Sequence, residues 1–342
     1  MKRLFALLMI VIGTTAYGRT LNADTRWPCP SMDWCCGEFC VDAELLIWRA
    51  LDCEDDYGFT LGPQNNIPPG NINRIFTVTP SFNLGFRVRA RYDHDCWFVD
   101  SRYTWFESAD LNQVDRDANF IFLQGSSSEE IYRRGSTRLR YGYQDVNIRG
   151  GWNCVCDRCC QIYSWIEGRY AKLRSKRTIT GFGQAGVTPD VLRGNRAAST
   201  FEGGGVGVGV GLQVQVLSCI EITTELAALG LYGLRYGSWG LTSDFAAASL
   251  SQVGDYQSKG TFLPAMDLLA KVAYLSSYCG WDFSLFIAWE INHYWDGELM
   301  GEPPVGFNGT APASAQVGNT IGNRQCTNLG FGGPSVGFTV CY

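Results

Sequence analysis

Beyond its first dozen positions the chain has no run of about 18 consecutive apolar residues, so no mature segment is long enough to cross a bilayer as a helix. Histidine is nearly missing: His94 and His293 are the two in 342 residues. That scarcity leaves imidazole-based catalysis and multi-histidine metal sites with little material. Strong charge of one sign is also lacking, with 28 Lys and Arg against 33 Asp and Glu and a formal net charge of −5. The basic footprint that nucleic acid demands is therefore absent. What the chain has in quantity is glycine, 40 residues, cysteine, 14, and aromatic side chains at 13%.

The first residues read as an export signal. Lys2 and Arg3 precede the apolar Leu4 to Ile12, and Ala16-Tyr17-Gly18 offers a small-x-small cleavage site, with Ala23 as a later alternative. Residues 1–18 are thus expected to be removed, 19–40 to form a Cys-rich periplasmic lead-in, and 41–342 to form the body of the protein.

That body is organised around Phe201 to Leu217, FEGGGVGVGVGLQVQVL. Val206, Val208, Val210, Leu212, Val214 and Val216 share one parity, while Gly203, Gly205, Gly207, Gly209, Gly211, Gln213 and Gln215 share the other. Side chains alternate between the two faces of a strand, so one face is branched and apolar and the other small and polar. The run is far longer than the usual strand of about 5–6 residues. A tilted strand crossing a bilayer has such length, with valine toward lipid and glycine and amide toward water.

The same period recurs along the chain. Phe76 to Tyr92 alternates with Arg87, Arg89 and Arg91, and Cys96 to Phe106 returns with Trp97, Val99, Tyr103 and Trp105 opposite Asp100 and Arg102. An arginine in lipid at the midplane costs about 2–4 kcal/mol, so the arginine face must be watery. Thr137 to Ile148 sets Leu139, Tyr141 and Tyr143 against Arg138, Arg140 and Gln144, with a phase change near Asp145 that a bulge would explain. Further strands carry Glu221 and Glu225, Asp267 and Lys271, Asp282 and Glu290, and the last ends at Tyr342. Short turns near Asp93, Cys156, Leu217 and Ser276 interleave with long loops near Pro69, Asp115, Gly186, Phe245 and Gly306, one of them expected over Gly237 to Gly260.

The fold these features predict is all-β: a transmembrane antiparallel up-and-down barrel of about 10–12 strands, with short periplasmic turns, long external loops and both termini periplasmic. The pore-lining candidates are Arg87, Arg89, Arg91, Asp100, Arg102, Arg138, Arg140, Glu221, Glu225, Asp267, Lys271, Asp282 and Glu290. In one reading these charges wall a hydrated passage and tune its selectivity, and the lumen-facing glycines leave it open. In the other they pair across strands and plug a narrow barrel. Trp97, Tyr103, Trp105, Tyr141, Tyr143, Trp281 and Trp289 form the expected aromatic girdles.

Fourteen cysteines in an exported chain favour disulfides over zinc or a thioredoxin-like role. The candidates are Cys29, Cys35, Cys36 and Cys40 near the mature start and Cys154, Cys156, Cys159 and Cys160 in one turn. Such density suggests cross-linking within an envelope. No catalytic residue, cofactor or metal is expected. The partners expected are outer-membrane lipid, other envelope proteins through disulfides and further copies of the chain, with no nucleic acid among them. A closed barrel displaying Leu51 to Asn73 and His293 to Asn328 is the alternative to a porin. A hydrolase would need His94 or His293 beside an acid or serine, and these two fall at opposite ends of the predicted barrel.

Four pieces, AELLIWRA, SFNLGFRVRARYDHDCWFVDSRYTWF, FEGGGVGVGVGLQVQV and FGGPSVGFTVCY, resemble the pore-forming major outer membrane proteins of the Legionella and chlamydia type. The cysteine excess resembles the chlamydial branch. The resemblance implies a porin of the bacterial outer membrane, a disulfide-linked envelope, and a C-terminal aromatic, Tyr342, read by the insertion machinery. It carries over no catalytic residue.

Overall fold

A computed structural model describes residues 38–51, 55–61, 72–94, 96–115, 121–123, 132–157, 160–184, 192–245, 248–278, 280–295 and 328–342. These residues form thirteen strands: β1 Glu38–Ala50, β2 Asp55–Leu61, β3 Ile72–Val78, β4 Asn83–His94, β5 Trp97–Asp115, β6 Ile121–Leu123, β7 Tyr132–Asp157, β8 Cys160–Gln184, β9 Leu192–Leu217, β10 Ile220–Phe245, β11 Ala248–Tyr278, β12 Trp281–Tyr294 and β13 Leu329–Cys341.

Ten of them make a closed wall. The hydrogen-bonded order runs β5-β4-β1-β13-β12-β11-β10-β9-β8, with β7 pairing both β5 and β8, so the sheet returns on itself. Every pairing around the wall is antiparallel. Closure removes the unpaired edges that lipid cannot satisfy. The short β2, β3 and β6 extend the sheet outside this wall and meet it at β7. Ten is the number the period-two segments supply, and the barrel expected from them is the one found.

The seam is zipped by β1 and β13, where Cys40 stands opposite Cys341 and is bonded to it. Short connections at 95–96, 158–159, 218–219 and 279–280 lie at the same end of the barrel as this seam. The other end carries most of the long connections, which in outer-membrane barrels face outward.

One expected loop is a hairpin. Gly237 to Gly260 continues β10 and β11 as a register-paired ladder up to a connection at 246–247. Likewise 173–184 and 192–200, on either side of the long loop expected near Gly186, extend β8 and β9. Their polar sequence reflects position: a bilayer occupies about 9–11 residues of each strand, and the rest stands in water on both faces. β7 to β11 are 25 to 31 residues long, whereas β1, β4, β12 and β13 have 12 to 14. The wall therefore rises on one side. Gly260, with φ 77°, takes the extra residue where the β10–β11 register shifts, in a backbone region that favours glycine.

The outside of the lower wall is an apolar band. On β8 it comprises Ile162, Ile166 and Tyr170, and on β9 Val206, Val208, Val210 and Val216, all exposed. The buried core lies within the lumen. Trp48, Phe106, Tyr143, Tyr294 and Phe331, from five different strands, are almost fully enclosed there.

Candidate functional site: the lumen

Strand parity decides which side chains enter the lumen. On β4, Gly85, Arg87, Arg89 and Arg91 point in while Phe86, Val88 and Tyr92 point out, as the alternation predicts. Asp100 and Arg102 of β5, Glu221 and Glu225 of β10, Asp267 and Lys271 of β11, and Asp282 and Glu290 of β12 share the inward side with them. Arg138 and Arg140 do not. β7 keeps one parity from Gly135 to Gly151, so Leu139, Tyr141, Tyr143, Asp145, Asn147 and Arg149 all point in and both arginines lie on the outer face. The expected phase change is absent. A narrow barrel fills with side chains, and large aromatics fill this one. Tyr141 and Tyr143 therefore belong to the lumen, while Trp97, Tyr103, Trp281 and Trp289 are exposed on the outer face as a girdle requires.

The inward charges join into a network. Arg87 donates to Glu290 Oε1 at 2.6 Å, to Glu44 Oε2 at 3.2 Å and to Thr104 Oγ1 at 3.1 Å. Arg89 donates to Asp100 Oδ2 at 2.6 Å, and Arg91 grips Asp93 through two 2.6 Å bonds. Arg149 reaches Glu225 Oε2 at 2.9 Å and Glu167 Oε2 at 3.2 Å. Arg169 bonds Asp267 and lies 2.9 Å from Glu167 Oε1. Tyr163 donates to Glu225 Oε1 at 2.8 Å.

Some of these contacts cross the barrel. β5 and β11 are five positions apart in the ring of ten, and Arg102 Nη2 stands 3.8 Å from Asp267 Oδ2. β7 and β12 are also opposite, and the Tyr294 hydroxyl donates to that of Tyr143 at 3.1 Å. Tyr143 packs in turn against Phe331, with ring centroids 5.1 Å apart and the planes tilted by 36°. The glycines of β9 leave no free space. A Cβ built at Gly209 would fall in the Trp165 ring and one at Gly211 in the Tyr163 ring, so the room they provide is already occupied.

Pairing is incomplete all the same. Both carboxylate oxygens of Asp145, both side-chain polar atoms of Asn147, Nε and Nη2 of Arg102, and Nε and Nη1 of Arg169 are buried without a hydrogen-bond partner. The cations nearest Asp145, Arg102 and Arg169, stand at 3.8 and 3.9 Å. Both separations are too long for a direct hydrogen bond.

The sequence pattern alone missed Glu44, Asp145, Arg149, Glu167 and Arg169. Their signal was present as parity with Trp48 on β1, with Asn147 on β7 and with Tyr163 and Trp165 on β8, in strands whose phase was misread or whose pattern was weak.

Of the cysteine candidates, Cys40 is bonded to Cys341. Cys160 is free, as are Cys96 and Cys219 in two of the short turns. Cys29, Cys35, Cys36 and Cys159 lie outside the described residues, and the side chains of Cys154 and Cys156 do too. His94 closes β4 at the short-turn end, and His293 sits next to the outer end of β12.

The family described as Legionella pneumophila major outer membrane protein precursor matches residues 27–342. No curated protein matches the chain. Among solved structures, the outer membrane protease OmpT from Escherichia coli is similar at 8% identity, covering 89% of this chain and 96% of that one, with a TM-score of 0.40. The Pseudomonas putida toluene transporter TodX is similar at 7% identity, covering 89% and 88%, with a TM-score of 0.25. A Pseudomonas aeruginosa FadL homologue is similar at 7%, covering 90% and 89%, with a TM-score of 0.24. Similarity this remote carries no chemistry across.

Proposed function

The chain belongs to the Legionella major outer membrane protein family and so resides in the bacterial outer membrane, and from that premise we propose that it is a narrow porin for ions and small hydrophilic solutes. The observation that supports this reading is the unfinished polar wall of the lumen. A buried polar group left dry costs about 1–3 kcal/mol, and Asp145, Asn147, Arg102 and Arg169 together present eight unpartnered atoms. Such a wall is stable in contact with water, and water among fixed charges of both signs is the medium through which ions pass. Conduction then depends on the parting of Tyr143 from Tyr294, which meet across the lumen.

The test is single-channel conductance of the refolded protein in a planar bilayer. Discrete steps that grow when Tyr143 and Tyr294 are both replaced by alanine are the expected result. Neutralising Arg87, Arg89 and Arg91 together should shift the reversal potential in a salt gradient. Silence of the parent protein and of the Tyr143→Ala, Tyr294→Ala variant, with the β-sheet signal intact, would overturn the porin.

The contacts between opposite walls favour a second reading, a closed barrel with a structural or display role, and that silence is its signature. In either reading the protein is proposed to work without catalysis, and its partners are lipid, further copies and other envelope proteins. The thiols of Cys96, Cys160 and Cys219, at the short-turn end, are the proposed points of disulfide linkage to that envelope. High-molecular-weight species on non-reducing gels of isolated envelopes should shrink in a variant with all three changed to serine; an unchanged ladder would remove these thiols from the proposal.

A further inference from the structure

The outward-facing basic residues of β7, β8 and β9 fall together. Arg140 is the register partner of Lys176, Gly142 of Arg174, and Gln144 of Lys172. On the other side of β8, Lys176 pairs with Ala198, Arg174 with Thr200 and Lys172 with Glu202. Arg138 and Arg196, both opposite Thr178, complete the group. Residues facing each other across adjacent strands have side chains about 5 Å apart, so six cations share one patch of the outer wall. Lys172 is engaged by Glu202 at 3.1 Å. Among the described residues, no carboxylate pairs with Arg138, Arg140, Arg174, Lys176 or Arg196.

The patch has shape as well as charge. Trp105, Glu107, Arg140, Lys172, Arg174 and Lys176 border a depression of about 180 Å³. Gly142 lies in its floor, and the Arg174 side chain passes over it, within 3.5–3.8 Å of where a Cβ would stand. Among the described residues, Glu107 is the single carboxylate on the rim. Burial and the guanidinium groups of Arg196, Arg140 and Arg138 hold the Lys176 ammonium below its ordinary pKa. Like charges crowded in this way are relieved by an anion.

The height of the patch names the anion's source. On β8 the outward residues from Ile162 to Tyr170 are apolar or small, a stretch of nine residues that matches the bilayer core. Tyr170 and Trp105 sit at its upper margin, where aromatic rings mark the interface. Lys172, Arg174 and Lys176 follow at two-residue steps, about 7, 13 and 20 Å further along the tilted strand. They face sideways over the outer leaflet, at the level of its headgroups and first sugars.

We propose that this patch binds the phosphorylated saccharide headgroup of an outer-leaflet glycolipid, with Arg140, Arg174 and Lys176 holding the phosphate and the acyl chains lying against the apolar band below. Guanidinium groups form paired hydrogen bonds to phosphate oxygens, and an ammonium beside them adds a further charged donor. The site is distinct from the lumen and stands whether or not the barrel conducts.

Native mass spectrometry of the whole refolded protein in mild detergent tests this assignment, with purified bisphosphorylated lipid A, its dephosphorylated form and inorganic phosphate as three separate probes. Retention of the bisphosphorylated glycolipid, and its loss by about tenfold in the Arg140→Gln, Arg174→Gln, Lys176→Gln variant, is the expected result. Equal retention by parent and variant would overturn the site. Equal retention of the dephosphorylated glycolipid would show that the acyl chains alone bind, and saturation by inorganic phosphate in competition with the glycolipid would transfer the site to a soluble anion. Heat-modifiable gel migration establishes that the variant is folded. Should that triple variant fail to fold, Arg174→Gln alone gives the same readout with a smaller loss.

Discussion

Arg169 shows what a single lumen side chain does. It lies at zero exposure between Asp267 and Glu167, from β11 and its own strand, with Asp145 beyond. Removing one partner of a buried pair leaves the other charge uncompensated, at a cost of about 3–5 kcal/mol. Arg169→Ala should lower the unfolding free energy by that amount in urea titrations from lipid vesicles. Arg169→Met combined with Asp267→Leu should recover most of the loss, because no bare charge remains. A single variant as stable as its parent would mean that water already compensates Asp267, which would strengthen the hydrated lumen at the expense of the pair.

Strand β9 carries the clearest division of labour between faces. Its valines form the lipid stripe and its glycines admit Tyr163 and Trp165 from β8. Val208→Arg, inside the apolar band, should destabilise the folded barrel by about 2–4 kcal/mol, as charges at the midplane do. Thr200→Arg, eight residues along the same face and beyond the band, should cost less than about 1 kcal/mol, the repulsion from Arg174 across the register. Equal costs at the two positions would place the bilayer wrongly on the wall, and with it the headgroup level of Arg174. The hairpin of β10 and β11 makes a related point: its upper half reads as loop because both faces meet water and the alternation fades, while the ladder persists through 245.

For the barrel as a whole, the seam is the place where closure is won or lost. β1 and β13 are the first and last strands of the wall, and the Cys40–Cys341 bond joins them across a sequence separation of 301 residues. In the chain-entropy account a link closing a loop this long restricts the unfolded chain by more than about 4 kcal/mol. Reductant, or Cys40→Ser, should therefore lower the temperature at which the folded band converts to the unfolded one on a cold gel. An unchanged transition in the Cys40→Ser variant would show that strand pairing alone holds the seam.

The period of two, repeated between turn residues, was enough to indicate an all-β barrel of about 10–12 strands, of which ten close the wall, and the inward direction of Arg87, Arg89, Arg91, Asp100, Arg102, Glu225, Asp267 and Glu290. These follow from local alternation, which one strand expresses without reference to any other. The two faces of β7 could not be told apart in that way. Leu139, Tyr141 and Tyr143 look like a lipid face by composition, and only the width of the closed ring turns them inward, because ten strands enclose a space that large side chains fill. Which charges meet was equally beyond the sequence, since Arg102 with Asp267 and Tyr143 with Tyr294 are neighbours across a diameter, through closure alone. The grouping of Arg140, Arg174 and Lys176 at one height of the wall likewise depends on the register of β7 against β8, which is a property of the folded sheet.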